Sequence, residues 1–266
     1  MLKTPYKPKH ELNRMRSEGD VVAARKNFFA VSSHNLRFLL QNRFEWMNKF
    51  IKPGDSGMEV GSGSGISKLF IKADSYLLTD YTPNDWLDVK DVDALKTPFQ
   101  DGSFDFVVSS NMIHHVPYPT QFFEEMRRIL KPGGVLLIQE INASFFMRLV
   151  LRMMRHEGYS FDVDVFNAGE ICTDADDLWS ANCAIPNLLF DTKGAFEKNF
   201  PYFKIEKSNF SEFFIFLNSG GVISKAPFIP LPIFALKLLK IIDDIMTKLF
   251  PKIFALQRQL VLRKLN

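Results

Sequence analysis

Cysteine is scarce in this sequence: among 266 residues there are two, Cys172 and Cys183. Two thiols make neither a disulfide framework nor a thiolate metal site, so both read as ordinary thiols of a reducing cytoplasm and no metal is expected. Long apolar runs are missing too. No window reaches the ~20 uninterrupted apolar residues that a membrane-spanning helix needs. The opening segment, Met1-Leu-Lys-Thr-Pro-Tyr-Lys-Pro-Lys-His10, has no apolar core behind its charges, which excludes a signal peptide. Neither sign of charge dominates: the net charge of +3 is too small to argue for a nucleic-acid partner. There is no internal repeat and no low-complexity segment. What is present is 46% hydrophobic and 24% charged residues, a globular balance, with 27 phenylalanines, many of them late in the chain. The length suits one large α/β domain with embellishments, or two small ones.

Residues 1–20 are polar and contain proline, which predicts a loosely held tail. Over 21–52 the apolar residues Val22, Phe29, Leu36, Leu39, Leu40, Phe44 and Met47 recur at helical steps. Lys52-Pro-Gly-Asp-Ser56 is a turn. Short apolar runs follow at Met58–Val60, Tyr76–Thr79, Phe104–Ser109 and Val135–Gln139. Gln121–Leu130 is an amphipathic helix that Lys131-Pro-Gly-Gly134 stops. Strands alternating with helices predict a doubly wound, mostly parallel sheet. Beyond residue 142 the rhythm is lost. Ala143–Met154 reads as a helix, 156–190 as irregular, Phe203–Phe216 as a strand, 233–250 as an amphipathic helix ended by Pro251, and Phe254–Arg263 as a last strand. We read 1–52 as tail and helices, 53–141 as a ligand-binding core and 142–266 as an acceptor-side insertion with the last strands, all in one integrated domain.

The stretch Met58-Glu-Val-Gly-Ser-Gly-Ser-Gly-Ile66 carries the chemistry. Glycines at 61, 63 and 65 let the backbone turn sharply and approach a ligand without Cβ clashes. Between a strand and a helix, they would place that ligand at the positive helix N-terminus. The spacing is GxGxG, one position away from the dinucleotide fingerprint. Asp80 ends the next strand, where a carboxylate grips ribose hydroxyls. That geometry serves NAD and S-adenosylmethionine equally.

Four pieces in order, Glu59-Val-Gly-Ser-Gly-Ser-Gly65, Asp93-Ala-Leu-Lys-Thr-Pro-Phe99, Gly102-Ser-Phe-Asp105 and Leu130-Lys-Pro-Gly-Gly134, resemble the class I S-adenosylmethionine-dependent methyltransferases over about residues 55–141. The resemblance implies a seven-stranded Rossmann-like sheet with a helical insertion and an amphipathic C-terminal helix. It implies S-adenosyl-L-methionine as cofactor and methyl transfer by in-line displacement. It implies that Glu59 holds the methionyl amino group and that Gly61, Ser62, Gly63 and Gly65 pass beneath the methionyl and ribose parts. Asp80 would bind the ribose hydroxyls, Asp93 and Ala94 the adenine, and the Asn111 backbone the methionyl end. Asp93 follows Asp80 by only thirteen positions, so the helix usual at this place is shortened or absent, and Trp86 or Leu87 either covers the adenine or packs on the sheet. This short crossover, Arg155-His-Glu-Gly158 and Ser219-Gly-Gly221 also resemble a bacterial subgroup found alongside cell-surface polysaccharide synthesis.

A hydroxyl or amine acceptor needs a base as well as alignment. The candidates are His156, His114 and Glu140, with His115 and Glu157 beside them; His156 in the irregular insertion is preferred, and Glu140 is expected at the cleft edge. The Asn/Asp-Pro-Pro-aromatic stretch of enzymes that methylate base amines is replaced by Ser110-Asn-Met-Ile113. Neither cysteine is placed to attack a cytosine. Nucleic acid is therefore not an expected partner, and a small-molecule or lipid- or glycan-linked acceptor is. The helix at 233–250 has a wide apolar face edged by Lys237, Lys240, Asp244, Thr247 and Lys248. Such helices usually pack in a core, so packing on the sheet is expected; a peripheral membrane contact through 227–250, on the inner face of a cytoplasmic protein's membrane, is the other reading. Two further function classes stay open: a non-catalytic binding module on the same fold, and an NAD-dependent oxidoreductase.

Overall fold

The computed structural model describes residues 4–8, 20–30, 34–155, 157–177, 180–222 and 225–266. In chain order its elements are α1 (Val21–Ala30), α2 (His34–Phe44), β1 (Ser56–Val60), β2 (Ser75–Thr79), β3 (Phe104–Ser110), α3 (Pro119–Ile129), β4 (Leu130–Ile141), α4 (Phe145–Met154), α5 (Ile185–Phe190), α6 (Ala195–Asn199), β5 (Phe203–Ser211), α7 (Phe214–Leu217), α8 (Ile233–Leu249), α9 (Pro251–Phe254) and β6 (Gln257–Lys264), with short 3₁₀ turns between some of them. One sheet runs β2-β1-β3-β4-β6-β5. The first four strands are parallel, and β6 is antiparallel to both of its neighbours.

The central parallel strands β1, β3 and β4 are buried on both faces, as parallel strands require. Along β3 and β4, Val107, Leu136 and Ile138 face α3, where Phe122, Phe123 and Met126 meet Phe196, Phe200 and Phe203. The late phenylalanines thus build one side of the core. Alternate residues Phe106, Val108, Val135 and Leu137 face the other way, onto Phe28, Leu40, Phe44 and Met47 of the N-terminal helices. Each such fully buried side chain contributes about 1.5–3 kcal/mol.

Several expectations need correcting. Among the described residues six strands form, one short of the seven expected. The missing edge strand is reduced to a single parallel bridge between Thr79 and Val89, because the short stretch after β2 turns back at once instead of running as a helix and a strand. The helix expected after the glycine loop is one 3₁₀ turn, Ile66–Leu69. Its place on the sheet is taken by α1 and α2, whose rings pack on Ile66, Phe70, Tyr76 and Leu78. Residues 21–52 are broken into α1, α2 and a 3₁₀ turn at Glu45–Phe50. The strand expected to reach Phe216 stops at Ser211, where Glu212 takes a left-handed φ of 61° and the chain turns into α7. Pro251 opens one more helical turn, so the last strand starts at Gln257 rather than Phe254. No helix among the described residues is long and apolar enough to cross a membrane.

Candidate active site at the carboxyl edge of the sheet

β1 to β4 all end on one edge, and the loops leaving it carry most of the polar residues singled out in the sequence. Gly61, Gly63 and Gly65 have φ of 68°, 49° and 64°, the left-handed region that glycine enters without strain. Space demands glycine as well: a Cβ on Gly61 would lie 2.5 Å from Met112, and one on Gly65 2.7 Å from Trp86 and 2.9 Å from Leu78. Ser62 is a clasp rather than an open donor. Its N–H donates to the Thr79 carbonyl at 2.9 Å, and its hydroxyl accepts the Thr79 N–H at 3.0 Å and donates to the Glu59 carbonyl at 3.2 Å. Asp80, half-buried, accepts the Gly63 N–H at 2.8 Å and the Thr82 N–H at 2.9 Å. Burial holds its carboxyl above the usual range despite these bonds.

The Val92 N–H donates to the Asp80 carbonyl at 3.0 Å, which brings Asp93 to the same edge. Asp93 is exposed and accepts the Leu95 N–H at 2.8 Å, while Ala94 packs against the α3-side core. Trp86 and Leu87 belong to the opposite face. The Trp86 indole donates to the Gly63 carbonyl at 2.9 Å, and the Arg25 guanidinium lies 4.9 Å over its ring. Trp86 therefore braces the glycine loop from beneath and does not share a face with Ala94.

Glu59 is almost fully buried, and its carboxylate accepts the Ser67 hydroxyl. Burial pushes this carboxyl up to about 8. Among the described residues, neither Glu59 nor Asp80 pairs with a cation. A carboxyl raised from its unfolded value binds its proton more tightly in the folded state. Its stabilising contribution is complete below about pH 4.5 and is lost as pH rises through 8. We expect Glu59→Gln to abolish that part of the alkaline decline, so that the variant is a few kcal/mol more stable than the native chain above pH 8 and nearly equal to it at pH 5. Thermal midpoints of both proteins across pH 5–9 check this, and parallel curves would refute it.

Beyond the ends of β3 and β4 the fold assembles a cluster from four separated segments. His114 Nδ1 lies 2.6 Å from Glu140 Oε1, and its Nε2 lies 3.7 Å from Glu157 Oε2. Cys183 donates its thiol to Glu157 at 3.2 Å. The two carboxylates hold the His114 imidazolium up to about 10 although burial opposes the charge. His115, its ring centroid 4.2 Å away, is driven to about 4 by burial and by that neighbouring cation. The neutral His115 ring donates Nδ1–H to the Ser180 carbonyl at 3.0 Å, which leaves a lone pair on Nε2, 3.9 Å from Glu157. Glu140 does not face a cleft. It is fully buried, and its oxygens accept the N–H groups of Met112, Ile113 and Ile141 besides meeting His114. His156, the preferred base, lies outside the described residues.

One buried network escaped the sequence reading. Arg43 pairs with Glu212 at 2.8 Å; Gln139 donates to Glu212 and to Gln257, each at 3.2 Å; and Gln257 donates to the Asn111 side chain at 2.9 Å. Asn111, at φ 50°, also donates its N–H to the Gln139 carbonyl at 2.7 Å. The signal was there at Gln139, an amide at the end of the apolar run Val135–Ile138, since a buried amide needs partners.

Residues 58–138 match a family profile described as a methyltransferase domain. Relatives that align include a ubiquinone biosynthesis O-methyltransferase of Albidiferax ferrireducens, 31% identical over 38% of this chain and 48% of that protein. Another is a 2-methyl-6-phytyl-1,4-hydroquinone methyltransferase of Synechocystis sp., 32% identical over 35% and 34%. The chain thus spans half or less of the length of these curated relatives. The crystal structure of an S-adenosylmethionine-dependent methyltransferase from Archaeoglobus fulgidus superposes with a TM-score of 0.52 at 15% identity, covering 86% of this chain and 94% of that one, which is a likeness of fold.

Proposed function

We propose that this chain, which carries the class I S-adenosylmethionine-dependent methyltransferase fold, transfers a methyl group from S-adenosyl-L-methionine to a hydroxyl or amine of a small-molecule or lipid- or glycan-linked acceptor. The observation that carries the reading is the pair of carboxyls flanking the left-handed glycine loop. Glu59, buried without a cation among the described residues, suits an ammonium group, and Asp80 at the tip of β2 suits a vicinal diol. The donor set fits the cofactor for that reason.

When bound, S-adenosylmethionine supplies a methyl group made electrophilic by its sulfonium. Glu59 would hold the methionyl amine, Gly61, Ser62, Gly63, Gly65 and the Asn111 backbone would line its path, Asp80 would hold the ribose, and Asp93 with Ala94 would meet the adenine. The other residues supply alignment and a proton sink. His114 is held as a cation between Glu140 and Glu157, so it fixes the position of Glu157 rather than acting as a base. His115 Nε2 is the group with a free lone pair beside it; we assign it the first acceptance of the acceptor's proton, which passes on to the Glu157 carboxylate 3.9 Å away because His115 does not keep a second charge beside His114. Residues 53–141 form the cofactor half in this reading, and 142–266 the acceptor half, with α8 alongside.

Two named relatives favour an apolar acceptor: one serves ubiquinone biosynthesis and the other acts on a phytyl-bearing hydroquinone. The test is methyl transfer from radiolabelled S-adenosylmethionine into a bacterial cell extract, partitioned between organic and aqueous phases. Label is expected in the organic phase. It should vanish with Asp80→Ala, which should also lose heat stabilisation by S-adenosylhomocysteine. Aqueous label would replace the lipid acceptor with a soluble one. No label in either phase, with cofactor binding intact, would favour a non-catalytic module; heat stabilisation by NAD in its place would favour an oxidoreductase.

A further inference from the structure

We propose that the outward face of α8 docks this chain on an anionic lipid surface. The helix is seated by its polar residues. Asp243 and Thr247 are fully buried beside Leu236. The Asp243 carboxylate accepts the N–H groups of Phe213, Phe214 and Ile215 at 2.9, 2.9 and 3.0 Å, and the Thr247 hydroxyl donates to the Asp243 carbonyl at 2.8 Å. These bonds turn one side of α8 inward, onto the chain that leaves β5.

An α-helix advances 100° per residue, so positions 234, 238, 241, 245 and 249 fall opposite 236, 243 and 247. Phe234 is 75% exposed, and Leu238, Ile241, Ile245 and Leu249 are 54–63% exposed. Five large apolar side chains thus form an unbroken outward stripe. Isolated exposed leucines need no account, but a continuous stripe does. The helix lies against β5 of the sheet, as expected, but packs through its Asp243 side, so the apolar face expected to point inward is left outside.

Charge selects the occupant. Between 233 and 254 there are four lysines and two aspartates. Asp243 is buried, and Asp244 is paired with Lys240 at 2.6 Å. Lys237 and Lys248, both exposed, lie along one edge of the stripe, and Lys252 continues the basic character into α9. An apolar stripe with a basic edge complements anionic headgroups over acyl chains. The surface extends further. Phe254 stacks on Phe146 of α4 at 5.4 Å and meets Phe250 at 6.3 Å, and α4 leaves Phe145, Leu149 and Met153 exposed at four-residue intervals. Ser211 and Ile141 pair with the same residue, Gln257, so the seat of α8 lies on the sheet edge that carries the glycine loop and the histidine pair. Docking itself does not require methyl transfer.

The test is co-sedimentation of the full chain with vesicles of phosphatidylglycerol and phosphatidylcholine, and with vesicles of phosphatidylcholine alone. Binding is expected to the anionic vesicles and at least tenfold weaker to the neutral ones. The triple variant Leu238→Ser, Ile241→Ser, Ile245→Ser changes only exposed side chains, and it should keep its thermal midpoint while losing on the order of 100-fold in vesicle affinity. Lys237→Glu with Lys248→Glu should remove the anionic preference. No sedimentation of the native chain would overturn the proposal, as would equal binding by the folded triple variant. A native dimer that the triple variant turns into a monomer, without vesicle binding, would give the face to a second copy instead.

Discussion

His115→Ala should lower turnover by about 10²–10³-fold while leaving cofactor affinity unchanged, the range general-base catalysis supplies. The argument is electrostatic. Two imidazoles with centroids 4.2 Å apart do not both carry charge at neutral pH. Glu140 and Glu157 flank His114 and settle the proton there, which leaves His115 neutral with its tautomer set by the Ser180 carbonyl. Its ring, pushed down to about 4, is in the basic form at any pH well above that, so activity should fall on the acid side only as pH approaches 4–5. His115→Gln separates the roles: the amide can still donate to the Ser180 carbonyl but cannot take a proton. Steady-state kinetics with saturating cofactor decide the matter. Turnover retained by the glutamine variant would make His115 a positioning residue, and turnover retained by both variants would remove it from the mechanism.

Arg43→Ala should cost about 3–5 kcal/mol of stability, because it strands the buried Glu212 carboxylate. Arg43 makes three hydrogen bonds to that group, at 2.8, 2.9 and 3.1 Å, and both side chains are almost inaccessible. The weak donation from Gln139 cannot replace them. Replacing the pair by Arg43→Met with Glu212→Leu should recover most of the loss, since no unpaired charge then remains. Urea denaturation of the three proteins measures this. An alanine variant within 1 kcal/mol of the native chain would mean that water reaches Glu212.

The strands and glycine loop of residues 53–141 were readable because their signals are local. A glycine at 61 or 65 reports a tight turn wherever the strand ends, and Asp80 and Asp93 follow at spacings set by the chain itself. The strands at 58–60, 76–79, 104–109 and 135–139 carry their own apolar runs, and the structure places a strand over each. The single 3₁₀ turn after the loop and the lost edge strand were less visible. They depend on α1 and α2 arriving from an earlier stretch of chain to cover the same face.

The sequence by itself determined the four parallel strands along the chain, the glycine loop and the carboxylates at its rim, since glycine's backbone freedom and strand ends are written into neighbouring residues. Only the tertiary structure decided the protonation of the histidine pair, because Glu140 and Glu157 come from distant segments and a buried charge is set by what surrounds it. Only the tertiary structure decided which way α8 faces. A stripe of period 3.6 looks the same in sequence whether it meets a core or a solvent, and here the buried carboxylate of Asp243, held by three backbone N–H groups, turns it outward.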